Sequence, residues 1–174
     1  WGVSWKALSI KPQKAIVQVD ARVVGEAHSK SKLQFKATLT DAQGRVVASG
    51  KSRSISSEAA DAQDITLNLT VLRPELWDLE RPYLYSLQTE LLENGKQIDS
   101  YGCTVGLRTL EFDADKGFAL NGKNMKVKGV CLHHDAGVLG SAVPEEVWER
   151  RLIRLKELGV NAIRCSHNPQ APVL

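Results

Sequence analysis

No apolar run in these 174 residues approaches the ~20 residues that cross a membrane as a helix, so nothing in the sequence asks for a bilayer. Cysteine is scarce. The three present, Cys103, Cys131 and Cys165, form an odd, sparse set, which argues against a disulfide framework and for reduced, partly buried thiols. An excess of one charge is missing too: the formal net charge is +3, and Lys11, Lys14, Lys30, Lys32, Arg53 and Arg154 are scattered instead of clustered with aromatics. That pattern reads as solvated surface and excludes nucleic acid as a partner. Internal repeats, low-complexity tracts and a signal peptide are also absent, although the chain opens on Trp1 without a Met, so the compartment stays open.

What is present is alternation. Ala15, Val17, Val19, Ala21 and Val23 share one face of an extended segment, as do Leu33, Phe35, Ala37 and Leu39, then Ile65, Leu67, Leu69 and Val71, then Tyr85, Leu87, Thr89 and Leu91. Gln34, Lys36, Asn68 and Gln88 lie opposite, so each segment predicts a strand with one face in a core and one in water. Residues 41–44 predict a turn, and Asn94-Gly95 predicts a type I′ hairpin, whose two central positions need positive φ. With strands over 45–53 and 97–105 and a short one near Leu8, the count is about seven in roughly a hundred residues, the size of an immunoglobulin-like sandwich.

Residues 73–85 (RPELWDLERPYLY) break the alternation. Two prolines and a Trp predict an irregular crossing with a buried aromatic that plugs one end of the sandwich. Beyond Gly106 the register changes, with short strands expected at 109–112 and 118–120 and a second tight turn at Asn121-Gly122 leading into 125–130. The domain boundary belongs between about Gly106 and Gly122, giving a sandwich over 1–110 and a second domain over 111–174.

Residues 129–169 carry the most information, because they read as strand, helix, strand with a polar cluster at the end of each strand. Cys131, His133, His134 and Asp135 form the first cluster; Arg164, Cys165, Ser166, His167 and Asn168 form the second. Between them Trp148, Leu152 and Leu155 recur at helical spacing, Pro144 suits the first turn, and Gly159 suits a left-handed C-terminal cap. A crossover helix between parallel strands brings both C-terminal strand ends to one side of the sheet, where α/β enzymes keep their chemistry. A closed (β/α)₈ barrel needs roughly 250 residues, and fewer than about a fifth of that number follow Gly129. The unit cannot be completed within the chain, which therefore reads as an excised piece.

Four ordered motifs, 76–84 (LWDLERPYL), 105–111 (VGLRTLE), 120–130 (LNGKNMKVKGV) and 161–169 (NAIRCSHNP), resemble those of glycoside hydrolase family 2, the β-galactosidase and β-glucuronidase family. That family carries a jelly roll, an immunoglobulin-like sandwich and a TIM barrel with the active site. The resemblance implies that this chain is mainly β, a sandwich followed by a partial βαβ unit from the barrel's start, and that it needs the remaining domains of its parent. It also implies a retaining β-glycosidase, in which one carboxyl group is acid and base and a second, about 5 Å away, attacks the anomeric carbon. Both are Glu residues of later barrel strands in the family, so no catalytic residue is expected here and the chain alone is expected to be inactive. Glu145 and Glu146 read as first-turn helix residues that complement the dipole.

The same resemblance assigns substrate-binding roles. Arg164 matches the Arg that lies against the nucleophilic Glu, and its planar guanidinium suits that carboxylate. His167 matches the His that contacts sugar hydroxyls, and His133 the His after the first barrel strand. Asn168 stands where the best-known members carry an aromatic Tyr, which leaves that wall of the site less able to stack on a sugar. The sequence also departs at Cys131 and Leu132, which replace an Asn and a basic residue, and at His134 and Asp135.

The SHNP pattern with the following Ala171-Pro172 is most similar to β-galactosidase-like members of the family, a resemblance that implies a β-galactoside as substrate; a β-glucuronidase is the alternative, and a non-catalytic immunoglobulin-like binding module is a third reading. No cofactor is expected, and a homo-oligomer is compatible with the sequence. Cys131, His133, His134, Asp135, Cys165 and His167 could instead be metal ligands, since sulfur with imidazole suits zinc. Spacing alone fixes no tetrahedral geometry there, Cys131 and Cys165 also fit as small core residues, and no metal is expected.

Overall fold

A computed structural model describes residues 2–24, 31–56, 62–170 and 174. Two compact units divide the chain, Trp1–Thr109 and Leu110–Leu174. The first is an immunoglobulin-like sandwich. One antiparallel sheet has the order β1 (Val3–Lys11), β2 (Lys14–Val23), β6 (Gln63–Leu72). The other has the order β4 (Val46–Lys51), β3 (Lys32–Thr40), β7 (Tyr85–Glu93), β8 (Lys96–Val105), with β5 (Ile55–Ser56) also pairing with β3. In the constant-type arrangement the fourth strand belongs to the first sheet; here it lies against β3.

The inward faces are those the alternation selects. Val17, Val19, Phe35, Ala37, Leu39, Leu69, Val71, Leu87 and Val105 are buried in one apolar cluster, and each of the larger ones contributes about 1.5–3 kcal/mol by leaving water. Three of the positions expected to face inward depart from the pattern. Leu91 is only half-buried while Leu92 is buried, because a register irregularity between them shifts the alternation by one. Val23 and Leu67 are half-buried as well. At the other edge, the short strand expected near Leu8 is a nine-residue strand, whose pairing with β2 slips between Ala7 and Ser9.

Turn chemistry fixes the hairpins. Asn94 and Gly95 both have positive φ, 50° and 87°, as a type I′ turn requires. In the β3–β4 turn Asp41 Oδ1 accepts from the backbone N–H groups of Gln43 and Arg45, each at 2.9 Å, and Oδ2 accepts from Arg45 Nε at 2.7 Å. Burial pushes this carboxyl up, but the Arg45 and Gln43 bonds outweigh it and hold it below the ordinary carboxylate value.

The crossing at 73–85 differs from expectation in its aromatic. Trp77 is half-buried, covered by the Arg108 guanidinium 4.9 Å from its ring; the buried aromatic is Tyr85. Gly106 permits this packing, since a side chain there would meet the indole at 3.2 Å.

The second unit opens with a small antiparallel sheet in the order β11 (Lys123–Asn124), β10 (Gly117–Leu120), β9 (Leu110–Asp113). Asn121 and Gly122 turn with φ of 50° and 75°. Residues 125–128 are irregular, so the strand that follows is later than the sequence suggests: β12 (Gly129–Leu132) pairs in parallel with β13 (Ala162–Cys165). The connection carries a 3₁₀ turn at Gly137–Leu139, which the pattern did not predict, and α1 (Glu145–Glu157). Pro144 is the N-cap of α1, one position earlier than expected; Trp148 is its buried residue and Gly159 has a φ of 82°. This mainly β chain is thus a sandwich followed by the first strand, helix and second strand of a TIM barrel.

Candidate functional site

Parallel pairing puts the C-terminal ends of β12 and β13 side by side, with Cys131 opposite Arg164 and Leu132 opposite Cys165. Asn161 sets that register at the other end. Its backbone N–H donates to Lys128 O at 3.0 Å, its Oδ1 accepts from Lys128 N at 2.8 Å, and its Nδ2 donates to Lys126 O at 3.0 Å. Past the strand end, the Ser166 N–H donates to Leu132 O at 2.9 Å and prolongs the ladder by one residue.

Arg164 is exposed at this edge, and its Nη1 donates to Ser166 Oγ at 2.8 Å. Cys131 Sγ lies 4.0 Å from the same Nη1. The Ser166 hydroxyl, then the Arg164 guanidinium, hold the Cys131 thiol below the ordinary cysteine value. Among the described residues Arg164 makes no ion pair, so its remaining N–H groups can meet a planar oxyanion from outside.

The rings of His133 and His167, both exposed, meet edge to face with centroids 5.8 Å apart. His167 follows a cis Ser166–His167 peptide. The structure thus brings together Arg164, Ser166 and Cys131, and beside them His133 and His167 as a pair. Asn168 is exposed in the bend that follows. His134 is half-buried, with Nδ1 buried and unpartnered among the described residues. Asp135 is exposed and contributes its carbonyl oxygen to Arg151 Nη1 at 3.1 Å.

One expectation changes. Only Cys103 is partly buried; Cys131 and Cys165 are free and exposed, because a two-stranded sheet covers neither, so neither is a core residue here. Among the described residues no three His, Cys, Asp or Glu side chains gather as metal ligands, and the sulfur-imidazole set does not converge. Ala171 and Pro172 lie outside the described residues.

Sequence reasoning gave Ser166 no role, although the signal was available: residues two apart on a strand share a face, which puts Ser166 beside Arg164. Gln170, whose Nε2 donates to Leu132 O at 3.4 Å, had no such signal.

Residues 4–108 match the model of Glycosyl hydrolases family 2, and residues 113–174 match that of its TIM barrel domain. A beta-galactosidase from Bacteroides ovatus, BoGH2A, is 44% identical over all of this chain, which spans 20% of that protein. A beta-glucuronidase from Bacteroides fragilis is 37% identical over 93% of this chain and 23% of its own length. The crystal structure of a glycosyl hydrolase family 2 member from Bacteroides cellulosilyticus superposes on 100% of this chain and 24% of its own, with a TM-score of 0.92 and 34% identity. The chain therefore spans about a fifth of the curated relatives it matches. With both of its units matched in the order expected of the motifs, the chain belongs to glycosyl hydrolases family 2.

Proposed function

We propose that this chain is the sandwich and barrel start of a retaining β-glycosidase that hydrolyses terminal non-reducing β-D-galactosides. The observation that carries the reading is the placement of Arg164, His133 and His167 at the C-terminal ends of adjacent parallel strands, the end where barrel enzymes assemble their sites. In this reading Arg164 orients the carboxylate that attacks the anomeric carbon. His167 and His133 bind sugar hydroxyls, and contacts that tighten as charge develops on the ring lower the barrier. Asn168 forms a polar wall beside them. The nucleophile and the acid/base, about 5 Å apart in a retaining enzyme, come from barrel strands that follow this segment.

Galactose is preferred on the SHNP sequence and on the 44% identity to a protein named as a beta-galactosidase. The β-glucuronide reading is favoured by the relative of that name at 37%. Chromogenic β-galactoside and β-glucuronide offered separately to the full-length protein decide between them. Turnover of the galactoside is expected; turnover of the glucuronide alone replaces the sugar, and turnover of neither overturns the glycosidase reading. The 174-residue chain by itself is expected to hydrolyse neither.

A further inference from the structure

We propose that Ser166 is a positioning residue for Arg164: its buried hydroxyl fixes the direction of the guanidinium and so acts on the reaction without touching the substrate. The inference rests on the reading that Arg164 serves the glycosidase site. Ser166 is 1% exposed, so it cannot meet a sugar itself. The other buried polar side chains of the described residues, Asp41 and Thr89, have local duties, the first in a turn and the second donating to the Tyr101 carbonyl oxygen at 3.1 Å. Ser166 instead turns its hydroxyl to side chains, accepting from Arg164 Nη1 at 2.8 Å and bonding the Cys131 thiol, while its distance to the Arg164 carbonyl oxygen is a long 3.5 Å.

Arg164 needs such a partner. A long, exposed side chain at a strand end samples many rotamers, and a planar donor recognises a carboxylate only when its fork is aimed. The position of the Ser166 hydroxyl is in turn inherited from the sheet, because the Ser166 N–H is tied to Leu132 O at 2.9 Å. Geometry therefore passes from the β12 backbone through Ser166 to the guanidinium. Cys131, 4.0 Å from Arg164 Nη1, sits where it can report on the arrangement.

A double-mutant cycle tests the proposal. In this chain, the pH dependence of Cys131 alkylation by iodoacetamide is followed by peptide mass, with Cys103 and Cys165 as internal comparisons. Ser166→Ala should raise the pH of half-maximal reaction, and should raise it clearly less when Arg164 is already Ala; Ser166→Thr, which keeps the hydroxyl, should return it toward the wild-type value. Equal shifts in both backgrounds overturn the proposal, since Ser166 would then act on the thiol alone. In the full-length protein, Ser166→Ala should lower kcat about tenfold with KM little changed, the consequence of about 1.4 kcal/mol, and should cost little more once Arg164 is Ala. As large a loss in that second background also overturns it. A full-length protein that cleaves no β-glycoside defeats the functional reading, while the thiol cycle still decides the positioning role.

Discussion

The Tyr85 hydroxyl accepts a hydrogen bond from the backbone N–H of Glu75 at 2.7 Å, tying the first residue of β7 to the irregular segment ten positions upstream. Tyrosines at the start of the sixth strand of immunoglobulin-like sandwiches make such corners. Here the ring is buried and packs edge to face on Tyr83, with centroids 5.1 Å apart.

Replacing Tyr85 with Phe keeps the ring and removes the acceptor, which should cost about 1 kcal/mol and lower Tm by roughly 4–8 °C, measured by calorimetry. Burial raises the phenol above its ordinary value of 10.0. The stability tied to the protonated form is therefore complete below that pH and lost as pH rises through the raised value. Tyr85→Phe should flatten that alkaline limb; an unchanged limb would assign it to another group.

Asp41 should govern the acid limb. Its carboxyl lies below the ordinary 3.8, so its contribution is present above that pH and lost as pH falls through the lowered value. Urea midpoints recorded from pH 5 downward should fall less steeply for Asp41→Asn than for the wild type. The variant should also be the less stable of the two at pH 6, where the wild-type carboxylate is charged.

Asn161→Ala removes two side-chain hydrogen bonds, each of about 0.5–1.5 kcal/mol. Hydrogen exchange should quicken at the Lys128 amide, which donates to Asn161 Oδ1, while amides of 65–71 and 85–91 stay slow. In the wild-type chain, residues from Val147 onward should already exchange faster than those strands, because Ile153, Leu158 and Ile163 are exposed. Uniform protection along both regions would contradict this.

In the full-length protein, Arg164→Ala should lower kcat/KM by on the order of a hundredfold, equivalent to about 3 kcal/mol of transition-state stabilisation, with Tm nearly unchanged. His167→Ala should act in the same direction and weaken transition-state-like inhibitors more than plain sugars. Wild-type kinetics with a much lower Tm in both variants would make these residues structural.

Alternation made the sandwich legible, because a two-residue period leaves little freedom about which of Val17, Phe35 or Leu87 faces inward. It failed at Leu91 and Leu92, where a bulge resets the period, and at β1, an edge strand whose side chains stay largely exposed and carry no clear pattern. The helix was legible from spacing and Gly159, and the parallel strands from the helix. In the site, the polar clusters could be read as neighbours but not their bonds. The two-residue period puts Ser166 on the face of Arg164, but its burial is decided by the pairing of β13 with β12, a contact between distant segments.

The carboxamide of Asn161 and the amide of Ser166 fasten the same two strands at opposite ends, 126–128 to Asn161 and Leu132 to Ser166. Like two pins through a hinge plate, one a side chain and the other a backbone amide, they fix the lateral offset of Cys131 against Arg164. The exposed surface of α1 can then change its residues, to suit whatever packs on it, without shifting the register of the strand ends.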